Sequence, residues 1–364
     1  MDKNVDGESL GASASVQACA SYNVVRLTTR WTNMWLSRSG DNAVMRGVNG
    51  LHHITAIAGP AQENLDFYAG VLGMRLVKRS VNQDDPGTYH LFYADAEGSP
   101  GSDLTFFPWS HAAPPRAGYG LAMEVGLEVP QGSLSFWADR LRRYGTTIGL
   151  PETRFGESVL AFTDPHGLNV ALVEAGHPRR FTPWSESPVP VERQIRGLYG
   201  AQVWEHEAAA TTQFLTSILG FQQMATEHGW TRYGSPGGPG VIDVRDAPEA
   251  RRGAWGVGAV HHLAWRVDDD EHQLEVRTRV EGAGAHPTTV IDRFWFKSVY
   301  FKEPGGVLFE LATDGPGFAV DEDAAHLGES LVLPPWLEAH RAAIEETLPP
   351  LSFDSVAHGK GIRN

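Results

Sequence analysis

A single cysteine, Cys19, is the whole thiol complement of this 364-residue chain. No internal disulfide can form, no thiolate metal cluster can form, and any bound metal is expected to sit on nitrogen and oxygen donors. The chain also lacks a run of eighteen apolar residues, so no transmembrane helix is expected. Its first residues lack a basic segment followed by an apolar core, so no secretory signal is expected and the reading is cytoplasmic. Basic residues are the scarcer sign: 30 Lys and Arg stand against 44 Asp and Glu, a formal net charge of -14. That balance speaks against nucleic acid and anionic membranes as partners. It leaves open a small substrate held by a local cluster of opposite sign. The oligomeric state is equally open, a homo-oligomer included.

What is present is repetition. Residues 1–48 are polar and without clean periodicity and are expected to form a poorly ordered N-terminal arm. From Leu51 a strand–helix–strands pattern begins and recurs. Leu51 to Ala58 reads as a strand broken by Gly59-Pro60. Ala61 to Leu72 then carries Leu65, Tyr68, Val71 and Leu72 at helical spacing, and Gly73 is placed to stop the helix. Three strands follow, Met74 to Ser80, Tyr89 to Ala94 and Asp103 to Pro108. A second copy starts at Gly120, a third near Leu198 and a fourth at Ala259. The expected organisation is α+β: four βαβββ modules forming two paired-module domains, 49–175 and 198–318, with 176–197 as a Pro-rich linker and 319–364 as a C-terminal extension.

Two of the modules open alike. Leu51-His52-His53-Ile54-Thr55 starts the first, and Val260-His261-His262-Leu263-Ala264 starts the fourth. In a strand, His53 and Thr55 share one face, and His262 takes the place of His53 in its own module, with Ala264 as its same-face neighbour. The fourth module closes with Val307-Leu308-Phe309-Glu310-Leu311, an apolar run interrupted by one carboxylate. A lone buried histidine is more often a hydrogen-bonded core residue than a ligand, and a lone strand glutamate is usually a surface residue. Here the two histidines recur at equivalent places, and burying Glu310 ionised with no counter-ion would be costly. Two imidazoles and a carboxylate form the facial triad of a non-haem iron site. Module three opens with Tyr199 to Trp204 and no histidine. Module one ends Leu104 to Pro108 with no fourth carboxylate, and Glu174 closes module two without histidines to join it.

Four runs, LHHIT at Leu51 to Thr55, the stretch Phe67 to Asp95, HHLAW at His261 to Trp265 and the stretch Asp292 to Phe318, together resemble the vicinal-oxygen-chelate superfamily. That superfamily includes glyoxalase, bleomycin-resistance proteins and extradiol dioxygenases, and within it the likeness is greatest to ring-cleaving dioxygenases that act on hydroquinones. The resemblance covers about Leu51 to Phe318. It implies Fe(II), with Mn(II) as the alternative metal, on His53, His262 and Glu310, O2 as co-substrate and a small aromatic substrate. It also implies that the first and fourth modules share one sheet, and it assigns supporting or catalytic places to His52, Thr55, His261, Arg293 and Tyr300.

Arg293 is the candidate for holding developing negative charge on the substrate, against a plain ion pair with an acid such as Asp292. Tyr300 is the candidate proton donor or acceptor at the substrate oxygen. A regular strand would turn His261 away from His262, so a direct role for it requires a twist or a bulge. Trp265, Trp295 and Phe296 are candidates to line an aromatic cavity, against the plain reading that Trp and Phe in sheets are usually packing. The rival readings are a glyoxalase-like or thiol-transferase metalloenzyme, which would want a fourth protein ligand, and a non-catalytic ligand-sequestering protein of the same fold.

Overall fold

The computed structural model describes residues 45–176 and 179–353. The expected N-terminal arm, apart from 45–48, lies outside the described residues, as does the chain beyond 353. Module one consists of β1 (Leu51–Ala58), α1 (Ala61–Leu65), β2 (Arg75–Asn82), β3 (Asp85–Ala94) and β4 (Asp103–Pro108). Module two holds β5 (Leu121–Val129), α2 (Leu134–Arg143), β6 (Glu152–Arg154), β7 (Glu157–Thr163) and β8 (Asn169–Glu174). Module three holds β9 (Gly197–Glu205), α3 (Ala208–Ser217), β10 (Gln222–Glu227), β11 (Trp230–Gly234) and β12 (Val241–Asp246). Module four holds β13 (Val260–Val267), α4 (Asp270–Gly282), β14 (Ile291–Asp292), β15 (Lys297–Lys302) and β16 (Leu308–Thr313).

The helix expected over Ala61 to Leu72 changes character halfway. After Leu65 it widens into π-helical turns over Asp66–Val71, with the Leu72 N–H donating to the Phe67 carbonyl at 2.8 Å. Gly73 then ends it at φ +69, a conformation that suits glycine. The short strands β6 and β14 and the exposed edge strand β10 had no apolar alternation to announce them.

The sixteen strands form two curled eight-stranded sheets. One runs β14-β15-β16-β13-β1-β4-β3-β2 and the other β10-β11-β12-β9-β5-β8-β7-β6. Modules one and four therefore share a sheet, modules two and three share the other, and each of the segments 49–175 and 198–318 gives one module to each. At the centre of the first sheet β1 and β13 run antiparallel, and each is flanked in parallel by the last strand of its own module, β4 or β16. That arrangement brings residues 209 positions apart into contact.

One face of these central strands is core. Leu51, Ile54, Leu263, Trp265 and Phe309 join a single buried cluster that also takes in Trp137 of α2 and Leu172 and Val203 of the second sheet. The other face carries His53, Thr55, His262 and Glu310. A smaller apolar cluster of Val77, Phe92, Ala264, Trp295, Phe296 and Phe318 closes over it. The C-terminal segment supplies part of this closure. Lys78 Nζ, fully buried, donates to the Phe318 carbonyl at 2.9 Å and pairs with Asp321 at 2.8 Å and with Glu322.

Candidate metal centre

His53 on β1, His262 on β13 and Glu310 on β16 meet on the inner face of the first sheet. Their exposures are 2%, 3% and 0%. His53 Nε2 and His262 Nε2 are 3.1 Å apart, and Glu310 Oε2 lies 3.3 Å from the first and 3.0 Å from the second. These three are the group of side chains that can hold a metal ion among the described residues. Three donors spaced in this way are adjacent corners around one ion with bonds of roughly 2.1 Å. Glu310 Oε2 is buried with no hydrogen-bond partner, while Oε1 accepts from Ser298 Oγ. A buried, unpartnered carboxylate oxygen facing two imidazole nitrogens is a site that a divalent cation completes. Burial favours the neutral form of Glu310, but His53 and His262 outweigh it and hold the carboxyl well below its usual range.

The register of the central strands explains the neighbouring histidines. Leu51 pairs with Trp265 but His53 with Ala264, which leaves His52 as an extra residue; Thr55 pairs with His262 but Ala56 with Val260, which leaves His261 as another. Each module thus carries a β-bulge at the first histidine of its pair. The bulges turn both rings toward the ligands, contrary to the opposite-face position of a regular strand. His52 Nδ1 is 2.9 Å from His53 Nδ1, and His261 Nδ1 is 2.8 Å from His262 Nδ1. Burial, then the adjacent His53, lowers the His52 pKa to about 3, and burial, then His262, does the same to His261. Both rings are neutral at ordinary pH. A ligand imidazole presenting its Nε2 lone pair carries its proton on Nδ1, and the facing Nδ1 accepts it.

The two modules are related further out. Glu310 pairs with Ala264, and in module one the matching pair is Thr105 with Thr55. The place of a fourth carboxylate is therefore Thr105, two residues before Phe107. Its hydroxyl is 2.7 Å from Thr55 Oγ1 and 2.9 Å from His90 Nε2. His90 stands to Thr105 as Ser298 stands to Glu310, each reaching from the neighbouring strand. Thr55 Oγ1 also lies 2.9 Å from His262 Nε2. His90 rests on Phe92 and Phe107, with ring centroids at 3.9 and 4.4 Å, and burial, then His53 and His262, lowers its pKa well below the usual value.

Tyr300 on β15 sits opposite Glu310, its ring 5.7 Å from that of His262. Burial, then the Glu310 charge, raises its pKa. Arg293 lies over the Tyr300 ring at 5.4 Å and pairs with Asp84 rather than Asp292. Burial opposes its charge, but Tyr300 and Asp84 outweigh that and raise its pKa. Phe296 packs against His52 and His53 at 5.2 and 5.3 Å. Trp295 packs on Phe92 and Phe318.

Trp265 does not line the site. It alternates onto the core face of β13, against Phe221 and Phe309. Glu174 is likewise structural, accepting the Leu134 N–H at the start of α2 at 3.0 Å. Sequence reasoning missed His90, Thr105, Ser298 and Asp84. The one signal for His90 and Thr105 was a polar residue on the alternating face of an otherwise apolar strand.

Comparison with known proteins agrees with this geometry. The profile of the Glyoxalase/Bleomycin resistance protein/Dioxygenase superfamily matches residues 50–172 and 201–311. The chain is 44% identical over 302 residues to MhqO of Bacillus subtilis (strain 168), which carries the name of a ring-cleaving dioxygenase; the match covers 83% of this chain and 96% of MhqO. It is 33% identical over 311 residues to the chlorohydroquinone/hydroquinone 1,2-dioxygenase of Sphingobium indicum, covering 83% and 96% of the two chains. A crystal structure from Bacillus subtilis, described as of a dioxygenase, superposes with a TM-score of 0.79 at 42% identity, covering 85% of this chain and 99% of that one. Maize glyoxalase I, at 14% identity and a TM-score of 0.53 over 73% of this chain and 92% of its own, shares the fold.

Proposed function

The chain belongs to the Glyoxalase/Bleomycin resistance protein/Dioxygenase superfamily, and from that premise we propose that it is an Fe(II)-dependent dioxygenase opening a hydroquinone-like ring with O2. The observation that carries this reading is the count of donors. His53, His262 and Glu310 converge, while the matching fourth position holds Thr105, a hydroxyl already engaged by Thr55 and His90. Three protein ligands on one side of an ion leave its other side to exogenous molecules. Glyoxalase-type chemistry would want a fourth protein ligand there.

His53, His262 and Glu310 would hold the iron, whose redox activity supplies the one-electron chemistry that lets O2 react with an aromatic ring. Zinc has no such redox chemistry. The protein's own groups do the rest. His52 and His261 take the Nδ1 protons of the ligand rings and fix their tautomers and orientation. Ser298 orients the Glu310 carboxylate through Oε1. Phe296, beside His52 and His53, and Phe92, beneath His90, offer apolar surface to a flat ring and exclude water. Tyr300, protonated at neutral pH, donates a hydrogen bond to the substrate oxygen as negative charge develops there. Arg293, held cationic above Tyr300, stabilises that charge.

The test is isotopic. Protein loaded anaerobically with Fe(II), then given hydroquinone and labelled O2, should yield a ring-opened product carrying both labelled atoms, sampled before carbonyl exchange with water. A product whose new oxygen comes from water alone would refute a dioxygenase.

A further inference from the structure

The stretch Phe67 to Asp95 contains a turn, Asn82-Gln83-Asp84-Asp85, that joins β2 to β3 and touches none of the metal-holding side chains. It reaches instead across to module four. Asp84 accepts from both terminal nitrogens of Arg293, Nη1 to Oδ1 at 3.2 Å and Nη2 to Oδ2 at 2.8 Å. Gln83 Nε2 donates to the Arg293 backbone carbonyl at 2.9 Å. Asn82 Oδ1 accepts the Asp84 N–H at 3.0 Å and so holds the turn in shape. Next along module four, Phe294 adopts φ +74, and its N–H donates to Asp292 Oδ1 at 2.7 Å. The backbone around Arg293 is thus fixed by Gln83 and Asp292, and its side chain by Asp84.

We propose that Asp84 is the positioning residue for Arg293, pre-orienting the guanidinium so that its remaining N–H groups meet the oxygen of a phenolic substrate. This rests on the place given to Arg293 above, at the substrate oxygen, where it meets the bound substrate as well as the charge that develops there. A guanidinium has five N–H donors in a rigid fork. Asp84 takes one from each terminal nitrogen, which sets the plane of the fork, and of the three donors left the Tyr300 hydroxyl shares one with the substrate's side of the cavity. The orientation is set from outside the cavity: the Asp84 side chain is 73% exposed and that of Arg293 14%. An ion pair facing solvent adds little to folding and is screened by salt. Its consequence is therefore for the conformation of Arg293 rather than for stability. Because Gln83 holds the backbone separately, removing the Asp84 carboxylate frees the side chain without freeing the loop. An unheld arginine must then be immobilised when substrate binds, which weakens binding by about fivefold.

Asp84→Ala and Asp84→Asn, each loaded with Fe(II), are compared with the wild-type protein. Asp84→Ala should raise KM for hydroquinone about fivefold with kcat little changed, and Asp84→Asn, which keeps one acceptor oxygen, should fall between. Wild-type KM should rise with ionic strength, and Asp84→Ala should lose that dependence, which a purely structural role would not produce. A second readout needs neither metal nor substrate: modification of Arg293 by phenylglyoxal, followed by peptide mass spectrometry, should be several-fold faster in Asp84→Ala. An unchanged KM or an unchanged modification rate overturns the proposal, as does a KM rise that tracks lost iron. A wild-type protein that does not turn over hydroquinone would refute the proposed reaction and the substrate half of this inference. The modification rate would still decide whether Asp84 holds Arg293.

Discussion

His261 Nδ1 lies 2.8 Å from His262 Nδ1 because His261 is the extra residue of a bulge between β13 and β1. Module one repeats the device with His52 and His53 at 2.9 Å. Two adjacent residues of one strand would otherwise point to opposite faces. The bulge turns a sequence neighbour into a support for the metal-facing ring.

His261→Phe should therefore keep the fold and lower metal affinity by about 10- to 100-fold, since the ring behind His262 no longer accepts its Nδ1 proton. Competition with a fluorescent chelator measures this directly. Affinity equal to wild type would mean that His262 is oriented without its neighbour.

Tyr300→Phe removes one hydroxyl beside His262 and Glu310 while leaving the ring that carries Arg293. Metal content should be unchanged and kcat should fall by about 100-fold, the scale of a lost general acid. Steady-state kinetics with parallel metal analysis separates the two. A variant that loses metal in proportion to activity would make Tyr300 a structural neighbour instead.

Thr105→Glu places a carboxylate where the module symmetry leaves room for a fourth ligand. The variant should retain a divalent ion and lose ring cleavage by at least about 100-fold, because a filled coordination position excludes an exogenous ligand. Circular dichroism confirms folding and oxygen uptake reads the activity. Full turnover with retained metal would argue that Thr105 does not face the ion.

A second acidic pair lies away from the metal. Glu205 is buried with both oxygens unpartnered, and burial, then the nearby Glu303, pushes its pKa up to about 9. Glu303 is supplied with donors, Thr211 Oγ1 at 2.6 Å and the Gly305 and Val307 N–H groups at 2.9 and 2.8 Å, whereas Glu205 has none, so of the two it is Glu205 that keeps a proton. A carboxyl whose folded pKa exceeds its unfolded value loses stability as pH rises between the two, because the unfolded chain releases a proton that the folded chain keeps. The window here runs from the unperturbed value of 4.5 to about 9. Glu205→Gln should melt a few degrees above wild type at pH 8, with the gap closing toward pH 5. A gap independent of pH would place the Glu205 titration elsewhere.

Much of this was legible in the sequence because it is periodic. The repeated HH openings and the lone carboxylate in an apolar run located all three members of the cluster, and strand alternation put Thr55 beside His53. Alternation also decides a case it was not applied to. Trp265 sits an odd number of positions from His262, so alternation turns it away from the cavity, and it packs in the core. What the sequence hid was pairing between strands. Which residue of β4 stands opposite Thr55, and that the β2–β3 turn reaches Arg293 across 209 positions, depend on register and on the exchange of modules between sheets. The bulges are equally silent, since the extra residue is visible only against its partner strand.

The most direct measurement is oxygen consumption by protein reconstituted with Fe(II), beside His262→Ala and a zinc-loaded sample. With about one iron per chain, the wild-type protein should consume O2 in step with hydroquinone, and neither control should do so. Oxygen uptake that survives in His262→Ala or in the zinc-loaded protein would contradict an iron centre built on His53, His262 and Glu310.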